Sequence, residues 1–67
     1  MALNQNIRNK RYERGMSQRE LADAVGISQS MLCQIERGTK LPSLPIGRLI
    51  ADALGCTIDE LLDSSEV

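Results

Sequence analysis

Between Ser17 and Gly38 the chain places apolar and polar residues with a helical period in two short runs. At about 100° per position, Leu21, Ala22, Ala24 and Val25 gather on one arc of the first run, while Arg19 and Asp23 face away. In the second run Met31, Leu32 and Ile35 share an arc with Glu36 at its edge, and Gln29, Ser30, Cys33, Gln34 and Arg37 share the other. Glycine and hydroxyl residues punctuate the pattern. Gly15-Met16-Ser17, Gly26-Ile27-Ser28 and Gly55-Cys56-Thr57 each put a residue tolerant of positive φ where one helix ends and a hydroxyl cap where the next begins. Ser17 with Glu20, and Thr57 with Glu60, have the spacing of capping boxes. Gly38 closes the second run, and Pro42 and Pro45 flank the start of a later one, where first-turn amides lack an intrahelical partner. These signals predict an all-α chain of five helices, about Leu3 to Arg14, Gln18 to Val25, Gln29 to Arg37, Leu44 to Leu54 and Ile58 to Leu62. The longest connection is the loop Thr39 to Ser43. Gly47 falls inside the fourth helix, at a cost of about 1 kcal/mol relative to Ala unless a close contact needs the missing side chain.

Two short helices joined at Val25-Gly26-Ile27-Ser28 have the spacing of a helix-turn-helix, formed by helices 2 and 3, which presents its second helix to DNA. The five outward residues of that helix include no acid. Amides, a hydroxyl, a thiol and an arginine can lie against phosphates and base edges; the same face also reads as an ordinary solvated surface. The formal net charge is −1, but it is unevenly distributed. Residues 1–48 carry all eight basic groups against four acidic ones, a net of +4, and residues 49–67 carry five acidic groups and no basic one. A basic part that holds the outward helix face can meet a polyanion while the acidic end stays remote, although an acidic end also aids solubility by itself.

The chain has 67 residues, room for one small domain with a core over about 3–62 and a polar acidic tail over 63–67. A chain this short buries only about 60% of its unfolded surface, so self-association would add to a modest stability. No run of about 18 apolar residues and no basic-then-apolar leader is present, which predicts a cytoplasmic protein with no membrane partner. Two cysteines and no histidine cannot supply a four-ligand zinc site, and neither a metal nor another cofactor is expected. A disulfide between Cys33 and Cys56 is not expected in a reducing compartment; Cys56 reads as a small buried apolar group and Cys33 as an outward-facing thiol. The carboxylates fall mainly at helix starts, on solvated faces or in the tail, and neither a glycine-rich phosphate loop nor an activated serine arrangement occurs. The chain therefore does not read as an enzyme.

An ordered set of short motifs carries a resemblance: Gly15-Met-Ser-Gln-Arg-Glu-Leu-Ala22, Gly26-Ile-Ser28, Ile35-Glu-Arg-Gly38, Pro42-Ser-Leu44, Ala53-Leu-Gly55 and Asp59-Glu-Leu-Leu62. From about Ile7 to Leu62 the chain resembles the phage repressor and Cro (XRE-like) type of helix-turn-helix domain. The resemblance implies a compact five-helix, lambda-repressor-like fold whose third helix enters the major groove of an operator. Carried over by position, Ser28 caps the recognition helix and meets phosphate, and Gln29, Ser30, Cys33 and Gln34 are the candidate base readers. Gln18 resembles the family's phosphate-holding glutamine, and Arg37, Thr39 and Lys40 resemble the phosphate-contacting segment after the third helix. The resemblance also implies a structural ion pair between Arg11 and Glu36, which the position of Glu36 at the edge of the buried arc makes necessary. Met31 and Cys33 depart from the family's usual residues, as do Gly47, where a large apolar side chain is common, and Leu49, where a polar one is common.

Such domains usually act as two-fold dimers on palindromic operators, because one helix covers only a few base pairs and two copies roughly 34 Å apart share one face of the duplex. Pro45, Leu49 and Ile58 are the interface candidates for a homodimer. Other readings use the same fold: a protein-docking or antitoxin-type module with Leu44, Ile46 and Leu49 on its surface, or the DNA-binding head of a longer repressor.

Overall fold

The computed structural model describes residues 3–62. Among them are five helices and no strand: α1 (Leu3–Glu13), α2 (Gln18–Val25), α3 (Gln29–Arg37), α4 (Leu44–Leu54) and α5 (Ile58–Leu62). The expected polar tail over 63–67 lies outside the described residues. α1 ends one residue earlier than its pattern suggested. The Arg14 N–H bonds both the Lys10 and Arg11 carbonyls, at 3.1 and 3.2 Å, and Gly15 N–H reaches Tyr12 at 2.9 Å, which tightens the last turn.

Local chemistry explains the remaining boundaries. Both capping boxes form: Ser17 Oγ accepts from Glu20 N–H at 3.0 Å while Ser17 N–H donates to Glu20 Oε1 at 2.8 Å, and Thr57 and Glu60 repeat the exchange at 3.1 and 2.8 Å. Ser28 and Ser43 cap α3 and α4 through their hydroxyls. At the corner between α2 and α3, Gly26 takes φ 87°, a left-handed conformation that an L side chain rarely adopts.

The core collects Ile7 from α1, Leu21, Ala22 and Val25 from α2, Leu32 and Ile35 from α3, Ile50, Ala51 and Leu54 from α4, and Leu61 from α5. α1 packs on α3, α4 and α5, and α2 packs on α3 and α4. Two expectations about faces need correction. Ala24, assigned to the buried arc of α2, is exposed; it projects about 60° beyond Leu21 on the side away from Ala22, so the buried arc is narrower than the apolar one. Ile46, assigned to an exposed apolar surface, is half-buried and packs against the core. Inside α4, a Cβ built on Gly47 would meet only Ile58 Cδ1 at 3.6 Å, an ordinary contact. No close approach requires that glycine.

Candidate nucleic-acid interface

The junction of α2 and α3 is built by the sequence Val25-Gly26-Ile27-Ser28. Gly26 and Ile27 N–H both bond the Ala22 carbonyl, at 2.8 and 3.0 Å, closing α2. Ile27 is half-buried against the core, and Ser28 Oγ accepts from Met31 N–H at 3.0 Å to start α3. The turn is short and satisfied, so the angle between the helices is set by packing of Leu21, Val25, Leu32 and Ile35.

With Leu32, Ile35 and Glu36 buried, α3 turns Gln29, Ser30, Gln34 and Arg37 to the exterior. Cys33 is half-buried. It is therefore less available than the other three base-reader candidates, which are exposed. Met31 is half-buried and packs against the core, as its place on the apolar arc required.

Glu36 is 1% exposed and Arg11 6%, and they form the expected pair. Arg11 Nε donates to Glu36 Oε2 at 2.7 Å and Nη2 to Oε1 at 3.0 Å, a fork that matches the carboxylate geometry. The third arm of the guanidinium, Nη1, reaches the Met16 carbonyl at 2.9 Å, and the Arg11 guanidinium lies 4.7 Å from the centre of the Tyr12 ring. Hydrogen bonding to Glu36 holds the guanidinium pKa above its ordinary value, against the opposing effect of burial. Gln18 adds a donor, Nε2 to Glu36 Oε1 at 3.1 Å. Every buried side-chain polar atom among the described residues has a partner.

The phosphate candidates separate by what their polar atoms already do. Ser28 accepts through Oγ and keeps its O–H free to donate. Arg37 and Lys40 are exposed and pair with no carboxylate among the described residues. Gln18 has one amide N–H engaged by Glu36 and a second available. Thr39 differs, because its hydroxyl donates to the Gln34 carbonyl at 3.1 Å and its N–H reaches the same oxygen at 3.0 Å. In that geometry Thr39 closes α3 and offers phosphate only its lone pairs, which phosphate oxygens cannot use.

Two contacts on α3 were not anticipated. Asn4 Nδ2 and Arg8 Nη2 both donate to the Glu36 carbonyl, at 3.3 and 3.1 Å. Their spacing of four on α1, in register with Arg11, was the available signal. The dimer candidates lie on two elements, α4 and α5. Pro45 and Leu49 are exposed on one face of α4, whereas Ile58 lines a groove with Leu44, Arg48, Ala51, Asp52 and Thr57. Cys56, in the same groove, is half-buried rather than fully buried, and burial pushes its thiol pKa up.

Against known proteins, the helix-turn-helix family profile matches residues 7–61. The chain is 47% identical over 55 residues to the uncharacterized HTH-type transcriptional regulator YazB of Bacillus subtilis, covering 82% of this chain and 80% of that protein. It is 35% identical over 60 residues to the cryptic phage CTXphi transcriptional repressor RstR of Vibrio cholerae, covering 90% of this chain and 54% of RstR, so it spans about half of that relative. Among solved structures, that of SinR, the master regulator for biofilm formation, in complex with DNA superposes with a TM-score of 0.86 at 34% identity, over 91% of this chain and 98% of that one. Fold, corner motifs and the family match agree, and the chain belongs to the helix-turn-helix family of the phage repressor and Cro type.

Proposed function

We propose that this chain is a sequence-specific double-stranded DNA-binding transcriptional regulator, acting as a repressor, whose 67 residues form one DNA-binding unit. The observation that carries the reading is the outward face of α3: Gln29, Ser30 and Gln34 exposed with no acid among them, and at its end the cations Arg37 and Lys40, which pair with no carboxylate among the described residues. Glutamine matches adenine through paired N6 and N7 contacts, while Arg37, Lys40, Ser28 and the second Gln18 N–H suit the flanking phosphates. SinR, which shares the fold, is a regulator that binds DNA, and RstR is a repressor; both support the reading. The relatives are transcription regulators, and the chain is a DNA-binding protein rather than an enzyme. No described helix is long and apolar enough to cross a membrane, in keeping with work in the cytoplasm on chromosomal, plasmid or phage DNA.

A homodimer on a palindromic operator follows from the reach of a single helix. Its contact surface is assigned to Pro45, Leu49 and Ile58, with Leu44, 70% exposed, in the groove beside Ile58. Selection of bound sites from a random DNA pool tests the reading. Enrichment of a two-fold symmetric sequence, bound by two chains per site in sedimentation at saturating protein, is expected. A pool that enriches nothing overturns DNA reading, and one chain per site overturns the dimer.

A further inference from the structure

Asn4, Arg8 and Arg11 lie at i, i+4 and i+7 of α1 and so form one stripe along the helix. All three donate to a single residue of α3, Glu36. Arg11 holds the carboxylate, while Asn4 and Arg8 hold the backbone carbonyl at 3.3 and 3.1 Å. That carbonyl is one of the last four of α3, which have no partner within the helix. Thr39 satisfies Gln34 O and Gly38 N–H satisfies Ile35 O, so the α1 stripe supplies the next carbonyl in the series. A guanidinium at this point also lies at the negative end of the α3 dipole. Asn4 extends the contact beyond the helix: its amide lies 3.3 Å from where a Cβ on Gly38 would stand.

We propose that Arg8 and Asn4 are positioning residues for DNA reading. They fix the last turn of α3 and the start of the segment from Gly38 to Lys40, so that Arg37 and Lys40 meet the DNA backbone in the register that brings Gln29 and Gln34 to the bases. The inference rests on the DNA-binding reading above and goes beyond it. Arg8, although cationic and on the basic part of the chain, acts on a carbonyl and is not a phosphate contact.

Two substitutions separate these roles, because Arg8→Met removes a donor and a charge whereas Asn4→Ala removes a donor alone. In the free protein, hydrogen exchange at the Gly38 and Thr39 amides should accelerate about tenfold relative to the Cys56 amide, which closes α4 through Ala51 O. Uniform acceleration at the three amides, or none at Gly38 and Thr39, overturns the proposal whether or not the chain binds DNA. On an operator selected with the unsubstituted chain, each variant should lower the ratio of operator to random-DNA affinity by about fivefold and leave the salt slope unchanged. A slope reduced by about two on the dimer's operator, one unit per chain, in Arg8→Met, with Asn4→Ala unaffected, makes Arg8 a phosphate contact and also overturns it. If the unsubstituted chain selects no operator, the DNA-binding reading is the one that fails, and the exchange experiment still decides whether α1 fixes the end of α3.

Discussion

Replacing Arg11 by Met tests whether a charge pair or simple packing holds α1 against the helix-turn-helix. Met keeps most of the aliphatic volume of Arg and removes the guanidinium, so the cavity contribution stays small. What remains is Glu36, 1% exposed, with both Arg11 bonds gone and Gln18 Nε2 at 3.1 Å as its side-chain donor. Stranding one member of a buried pair costs about 3 to 5 kcal/mol. A chain of this length has about 3 to 10 kcal/mol of total stability, from about 0.05 to 0.15 kcal/mol per residue. The substitution thus removes a large share of it. With a urea dependence of about 1 kcal/mol per molar for a domain this small, the unfolding midpoint should fall by about 3 to 5 M or the chain should be unfolded without denaturant. The double variant Arg11→Met with Glu36→Leu should return to within about 1 kcal/mol of the starting protein, since an apolar pair commonly replaces a buried ion pair at little cost. A loss below about 1 kcal/mol in the single variant refutes the reasoning, as does a double variant no more stable than the single one.

Gly47→Ala should stabilise the fold by about 0.5 to 1 kcal/mol in the same urea assay, because the new methyl meets only Ile58 Cδ1 at 3.6 Å in a helix interior; a loss of stability would show a steric demand that the helix geometry does not contain. Burial raises the Cys56 thiol pKa, so the folded chain binds that proton more tightly than the unfolded one, and this contribution to stability is present below the ordinary thiol range and lost as pH rises through the raised value. Alkylation at mildly alkaline pH followed by mass spectrometry should therefore find Cys56 slower in the native than in the urea-unfolded chain, and equal rates would contradict it. Gln29→Ala or Gln34→Ala should cost about 1 to 3 kcal/mol on the selected operator and little on random DNA at one fixed salt concentration, measured by gel shift. An unchanged ratio in both variants removes α3 as the reading helix.

The helix limits were legible because their chemistry is local. Ser17 and Glu20, or Thr57 and Glu60, are three residues apart, and their exchange of hydrogen bonds needs nothing from the rest of the chain. The buried arcs of α2 and α3 were legible to within one residue, with Ala24 misplaced because alanine is apolar enough for either side and periodicity cannot say how wide the covering neighbour is. Partners across the fold were harder. Asn4 and Arg8 meet Glu36 across 32 and 28 residues, and nothing in a helical wheel identifies a backbone carbonyl as the destination of a side chain. The same holds for Thr39, whose place beside Lys40 suggests phosphate while its hydroxyl closes α3. The surroundings of Ile58 were not legible for a related reason: α5 is short, and the groove Ile58 shares with Leu44 and Arg48 depends on how α5 packs across α4.

These tertiary partners also change what the charge distribution means. Counting sequence charges gives residues 1–48 eight cations for a polyanion, but the structure engages several of them internally. Arg11 is bound to Glu36, Arg8 to its carbonyl, Lys10 stands 3.9 Å from Glu13, and the Arg14 guanidinium lies over Gly55 at the end of α4. Arg19 and Arg48 are exposed and form no ion pair with a carboxylate among the described residues. The free cations at the end of the reading helix are Arg37 and Lys40. Each neutralised phosphate contributes about −0.9 to the slope of log affinity against log salt, so two per chain and two chains per operator give a slope of about −4, a loss of about a hundredfold between 50 and 200 mM salt. Eight cations per chain would give about −14. Arg37→Ala and Lys40→Ala should each flatten the dimer's slope by about two, one unit per chain, and weaken operator and random DNA alike. Engaging the exposed Arg14, Arg19 and Arg48 as well would bring the slope to about −9. A measured slope steeper than that would mean that Arg8, Lys10 or Arg11 leaves its carbonyl or carboxylate partner for DNA, and the fixed position of α3 would then have to come from packing alone.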